Sequence, residues 1–129
     1  MSPKAARLLD KAGHAVRSAR LLVDGGEPAF AVGRAYYAML YSAEAMLAEL
    51  GLEFRKHSAV HSAFGERYVN TGAVDAQYHR WLLAAFYKRI AGDYSADVDV
   101  EPAEVEELIR QAEAFREMAA RILKRESTQ

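Results

Sequence analysis

From Pro28 to Leu50 the chain carries only three charged side chains, Arg34, Glu44 and Glu49, and this scarcity restricts the possible folds more than any other feature. Helical spacing lines Val32, Tyr36, Met39, Ala43, Met46 and Leu50 into one apolar stripe, with Tyr37, Leu40 and Leu47 along a neighbouring line. A helix that is apolar around more than one side has to be covered on several sides. The segment therefore reads as a central helix, opened by Pro28 and closed by Gly51, and the rest of the chain must supply its cover.

The flanking sequence supplies helices. Lys4 to Asp24 turns Leu8, Leu9, Ala12, Val16, Ala19 and Val23 to one side and stops at Gly25-Gly26. After a polar connection from Glu53 to His57, Ser58 is expected to cap a third helix bearing Val60, Phe64 and Tyr68, which ends at Asn70-Thr71-Gly72. A fourth begins near Asp75, carries Tyr78, Trp81, Leu82, Ala85, Phe86, Arg89 and Ile90, and is expected to stop at Gly92, leaving Asp93 and Tyr94 at or just past its end. Pro102 opens the last helix, whose apolar stripe is Val105, Leu108, Ile109, Ala112, Phe115, Ala119 and Ile122. Glu104, Glu106 and Glu107 suit the positive end of its dipole, and Arg121, Lys124 and Arg125 the negative end. No strand alternation and no internal repeat is found. Helices of about 20 residues joined by short loops predict an all-α fold, an antiparallel four-helix bundle with a fifth helix, in one domain spanning residues 1–129.

Composition excludes several functions. With no cysteine there is no disulfide framework, thiolate nucleophile or iron–sulfur cluster, and an intracellular, cytoplasmic location is expected. No apolar run approaches the roughly 20 residues of a membrane span. No glycine-rich phosphate loop occurs, so no nucleotide cofactor of the Walker or Rossmann kind is expected. His57 and His61 stand at a spacing zinc ligands can use, but no third ligand is evident and no metal is expected.

The net charge of −1 hides an asymmetry. Residues 1–91 hold 12 Lys and Arg against 8 Asp and Glu, whereas residues 92–129 hold 5 against 10. On the first helix Lys4, Arg7, Lys11, His14 and Arg17 share a face. Such a stripe is commonly a solvated face, and it could also meet a nucleic-acid backbone or an acidic partner.

Two cations stand apart from that stripe. Arg34 lies in the most apolar helix, and Arg89 closes another apolar run just ahead of Asp93-Tyr94. A guanidinium keeps its charge at any working pH, so on such a helix it either has a paired anion or lines a cleft that takes one. Tyr37 follows Arg34 by three positions and shares its face, whereas Tyr36 falls on the core stripe.

Arg34-x-Tyr36-Tyr37-Ala38, Lys56-His57-Ser58, Phe64, Gly72 and Arg89-x-x-x-Asp93-Tyr94, in that order, resemble the recurring pattern of HEPN domains, small helical proteins often encoded beside a minimal nucleotidyltransferase. The resemblance runs from the first helix to Phe115. It implies a helical bundle, usually a homodimer, that serves as the toxin half of a toxin–antitoxin pair, as an RNA-cleaving domain or as a nucleotide-binding companion. It implies a nucleotide or RNA site at Arg34, Tyr37, Lys56, Asp93 and Tyr94, and a catalytic role for Arg89 and His57 if the protein is a ribonuclease.

The ribonuclease members place a His after the late Arg with four to six residues between them, and here a four-residue gap from Arg89 lands on Tyr94. Arg55 and His61 match the spacing formally, but at the start of the third helix, outside the family's position for the motif. Metal-independent RNA cleavage needs a proton acceptor for the 2′-hydroxyl, a donor for the leaving oxygen and cations for the phosphorane. Of the candidates, His57 alone has a reference pKa near neutrality, and Arg89 and Arg34 suit the phosphorane. Two readings of His57 stand, a proton carrier or a helix-start residue hydrogen-bonded near Ser58. Three functions follow: a binding subunit, a ribonuclease using the same cleft, or a purely structural module whose arginines are both consumed by internal acids.

Overall fold

The Ser2 hydroxyl accepts the Ala5 N–H at 3.1 Å, and Pro3 occupies the first helical position, where its missing N–H costs nothing. Those two residues start the first of five helices in a computed structural model that describes residues 1–94 and 99–127. The helices are α1 (Pro3–Asp24), α2 (Pro28–Glu49), α3 (His57–Phe64), α4 (Ala76–Tyr94) and α5 (Pro102–Ser127). A π-helical turn, Gly65–Val69, follows α3 directly. The fold is all-α, and the described residues contain no strand.

Gly26 and Gly51 set the exits of α1 and α2, with φ of 82° and 78° respectively, a region that side-chain-bearing residues rarely adopt. The chain turns back at once at both places, for Glu27 N–H donates to Leu22 O at 2.7 Å and Leu52 N–H to Leu47 O at 2.9 Å. Asp75, immediately before α4, accepts the Gln77 N–H at 2.7 Å through its carboxylate.

As its composition requires, α2 is the central element and packs against α1, α3, α4 and α5. Val32, Tyr36, Met39, Ala43 and Met46 are all buried along it, joined by Leu9, Val16 and Ala19 of α1 and by Ile109, Ala112, Phe115 and Ala119 of α5. Phe115 packs between Phe64 and Tyr78, with ring centroids 5.2 and 5.7 Å away. Leu50 departs from the expected stripe and is 44 % exposed, because α2 ends before it and the chain is already turning.

Three expected boundaries move. Ser58 does not cap α3: Lys56 adopts an extended backbone and its carbonyl accepts the N–H groups of Ala59 and Val60, so the helix begins at His57. The third helical segment ends at Val69 and turns through Asn70, Thr71 and Gly72, but it leaves α geometry at Gly65. There the Asn70 N–H bonds to Gly65 O at 2.8 Å, five residues back. A Cβ on Gly65 would stand 3.1 Å from His79 Nε2, so the widened turn sits where a glycine lets α4 come close. Gly92 does not stop α4, which continues to Tyr94. A glycine weakens a helix by only about 1 kcal/mol relative to alanine, and here the ion pair from Arg89 to Asp93 spans it.

The charge asymmetry is largely answered inside the molecule. Arg20 of α1 pairs with Glu113 of α5 and lies 3.9 Å from Glu106, and Lys88 of α4 pairs with Glu104 at 3.0 Å. Arg116 donates from Nε to the Leu9 carbonyl at 2.8 Å, a further tie between α5 and α1. Lys4 of the α1 stripe pairs with Glu53, and Arg17 bonds to His14 at 2.9 Å, so part of that stripe is engaged locally.

Because Phe115 is fully buried between two other rings, Phe115→Ala should cost about 3 to 5 kcal/mol of unfolding free energy. Chemical denaturation followed by circular dichroism measures this, and a loss below about 1 kcal/mol would mean that the ring cluster joining α5 to α3 and α4 is not a principal part of the core.

Candidate phosphate-binding groove

Arg34 and Tyr37 stand one turn apart on α2, which carries the Arg34 guanidinium carbon to 5.0 Å from the centre of the Tyr37 ring. Arg89 arrives on the same ring from α4, at 5.1 Å, and lies 6.0 Å from the Tyr36 ring. At these distances the ring quadrupole offsets part of the repulsion between two like charges and holds each planar cation in place. An open groove of about 500 Å³ runs past them between α2 and α4, and Phe30, Arg34, Tyr37, Lys88, Arg89 and Asp93 line it.

The two arginines differ in their partners. Arg89 Nε is 3.4 Å from an Asp93 carboxylate oxygen, one turn further along α4. Arg34 makes no ion pair among the described residues. Lys88 is engaged with Glu104.

Behind the groove lies a buried polar cluster. Tyr36 is 0 % exposed, as its place on the core stripe predicts, yet its hydroxyl is 3.1 Å from His57 Nδ1 and 2.9 Å from His61 Nε2. A phenol has one proton to donate, so it donates to one imidazole and accepts from the other. His61 is 4 % exposed, and its own carbonyl accepts from His79 Nε2 at 3.1 Å. Burial, assisted by His57 and His79, lowers the pKa of His61 to about 4. Burial also lowers His57, with the Arg89 charge adding to the shift, so the neutral imidazole is favoured in both. Burial pushes the Tyr36 phenol well above its ordinary range.

Of the residues singled out in the sequence, Arg34, Tyr37, Arg89 and Asp93 thus come together in one groove. His57 sits beside them, its ring edge-on to Tyr37 at 5.8 Å, and bonds to Tyr36 instead of to groups near Ser58. Lys56 is exposed just before α3 and does not line the groove. The side chain of Tyr94 falls outside the described residues. The sequence reading missed Phe30, Lys88 and the Tyr36–His61 bond. Phe30 could have been found, since it precedes Arg34 by four positions on the same face. The Tyr36–His61 bond joins two helices and has no local signal. Among the described residues no group of three potential metal ligands forms, and no helix is long and apolar enough to cross a membrane.

The sequence model of the HEPN domain matches residues 5–123. A protein of Gloeobacter violaceus named "UPF0332 protein" is 35% identical over 124 residues, which cover 95% of this chain and 98% of the relative. A Thermotoga maritima protein of the same name is 39% identical over 97 residues, 75% of this chain and 74% of the relative. A protein of Methanocaldococcus jannaschii named "Putative toxin" is 33% identical over 117 residues, 91% of this chain and 87% of the relative.

The His61 shift fixes a pH dependence. Its folded pKa of about 4 lies below the ordinary 6.5, so the unfolded chain binds the extra proton first as pH falls. This contribution to stability is complete above pH 6.5 and is lost as pH drops toward 4, at up to about 1.4 kcal/mol per pH unit. Urea titrations across that range should show the decline in the wild type and a shallower one in His61→Gln. Parallel curves for the two proteins would remove the assignment.

Proposed function

The chain belongs to the HEPN domain family, and on that footing we propose that it is a toxin-type HEPN subunit whose α2–α4 groove holds a nucleotide or RNA by its phosphates. The observation that carries this reading is the pair of guanidiniums set on Tyr37 in an open groove, one of them with no carboxylate partner among the described residues. A partly exposed ion pair such as Arg89–Asp93 contributes little, on the order of 1 kcal/mol, so a phosphate, with its stronger charge-assisted hydrogen bonds, competes for Arg89 without a large cost. The two Methanocaldococcus jannaschii relatives that carry the name "Putative toxin" support the biological role.

Family resemblance supplies the partners of this reading. The subunit works with a minimal nucleotidyltransferase that neutralises it, and it assembles as a symmetric homodimer of single-domain chains. Tyr87, 66 % exposed on α4 beside the half-buried Leu83 and Phe86, gives a dimer an apolar surface to cover.

A ribonuclease using the same groove is the second reading, favoured by the neutral His57 imidazole within electrostatic reach of Arg89. Such a group accepts a proton while the cations hold the phosphorane. Tyr94 at the spacing where the ribonuclease members have histidine favours binding over cleavage.

Calorimetric titration with a nucleoside monophosphate and with short single-stranded RNA tests the groove. Arg34→Ala and Arg89→Ala should each weaken binding by about 1 to 3 kcal/mol with helicity unchanged. Equal affinity in the wild type and both variants would assign the cations to the fold. Labelled RNA incubated with chelator should remain essentially uncut. Robust cleavage that vanishes in Arg89→Ala and falls sharply in His57→Ala would select the ribonuclease instead.

A further inference from the structure

Beyond the two arginines, the open strip of α2 continues. Phe30, Arg34, Tyr37 and Tyr41 recur at steps of four, three and four residues, which sets them along one helix face. Phe30 is 69 % exposed and lines the groove. The Tyr41 ring lies 5.6 Å from the Tyr37 ring at 31°, and Lys11 Nζ, reaching over from the basic face of α1, stands 4.5 Å from the centre of the Tyr41 ring. The strip therefore carries three rings, Phe30, Tyr37 and Tyr41, with Arg34 and Arg89 against Tyr37 and Lys11 against Tyr41. Lys11 makes no ion pair among the described residues.

We propose that the groove is one end of a track for single-stranded nucleic acid, extended along α2 by a second subsite at Tyr41 and Lys11. Cations spaced along a strip bind successive phosphates, and rings between them give unpaired bases a surface to stack on whatever their identity. A duplex hides those base faces, and a mononucleotide is too short to reach both subsites. From Phe30 to Tyr41 the helix rises about 16 Å, which at about 3.4 Å per stacked nucleotide accommodates some three to five nucleotides. Glu44, one turn further and within electrostatic reach of Lys11, ends the track, since another phosphate there would meet a carboxylate. The inference rests on the groove reading above and adds the length and single-strandedness of the ligand.

Fluorescence anisotropy with an oligoadenylate of about six nucleotides, beside calorimetry with adenosine monophosphate, separates the two. Tyr41→Ala and Lys11→Ala should each weaken oligomer binding at least about fivefold and leave the mononucleotide unaffected. Lys11→Ala should also reduce the slope of log affinity against log salt by about one. Tyr41→Phe, which keeps the ring, should bind as the wild type does. Lys11 is exposed, so its replacement reports on binding even if Tyr41→Ala fails to fold. If Lys11→Ala leaves oligomer affinity unchanged while Arg34→Ala weakens both ligands, the track is overturned and the groove stands. A duplex of the same length binding as tightly as the single strand also overturns the track. Failure of the wild type to bind either ligand overturns both.

Discussion

The covering of α2 by four other helices is the constraint on which the remaining features rest. A helix so surrounded has only a narrow strip left for solvent, and every polar group on it must find a partner or reach that strip. Arg34 and Tyr37 reach it. Tyr36, on the next position round, cannot, and its hydroxyl is satisfied by two imidazoles brought in on α3. The groove and the buried cluster are thus neighbouring solutions to one packing problem, on opposite sides of the boundary between core and solvent.

Electrostatics follows the same geometry. The acids of α5 meet Arg20 and Lys88, which removes those cations from general use and draws α1 and α4 onto α5. Exposed pairs of this kind contribute little stability each, about 0 to 1 kcal/mol, but they decide where positive charge is left over. It is left beside α2, at Arg34 and at Lys11, while Arg89 shares the groove with its own partner Asp93. A chain whose formal charge is −1 presents a basic strip because its acids are spent elsewhere.

What the sequence disclosed was what one helix can state by itself. The apolar stripe of α2, the pairing of Arg34 with Tyr37 on one face, and the left-handed exits at Gly26 and Gly51 are all written in local spacing. The meeting of Arg89 with Tyr37 depends on how α4 packs against α2, and spacing within either helix is silent on that. Local signals also failed where packing overrode them. Gly92 looked like a stop but stays helical, and Ser58 looked like a cap but lies inside a helix begun by Lys56. The π turn at Gly65 owes its place to His79, which lies 14 residues on. The motif pattern reaches further than spacing does, since it groups Arg34, Tyr37, His57, Arg89 and Asp93 across three helices, but it also includes Lys56, which does not line the groove.

The single hydroxyl proton of Tyr36 makes the two imidazoles dependent on each other. When the proton is given to His57 Nδ1, that ring carries its hydrogen on Nε2 and can only donate from there. When it is given to His61, His57 Nδ1 must supply the return bond, and its Nε2 becomes an acceptor. A proton added to His61 leaves Tyr36 one choice, to give its own to His57. The tautomer of a residue beside the groove is therefore written by a residue in the core, one helical turn away.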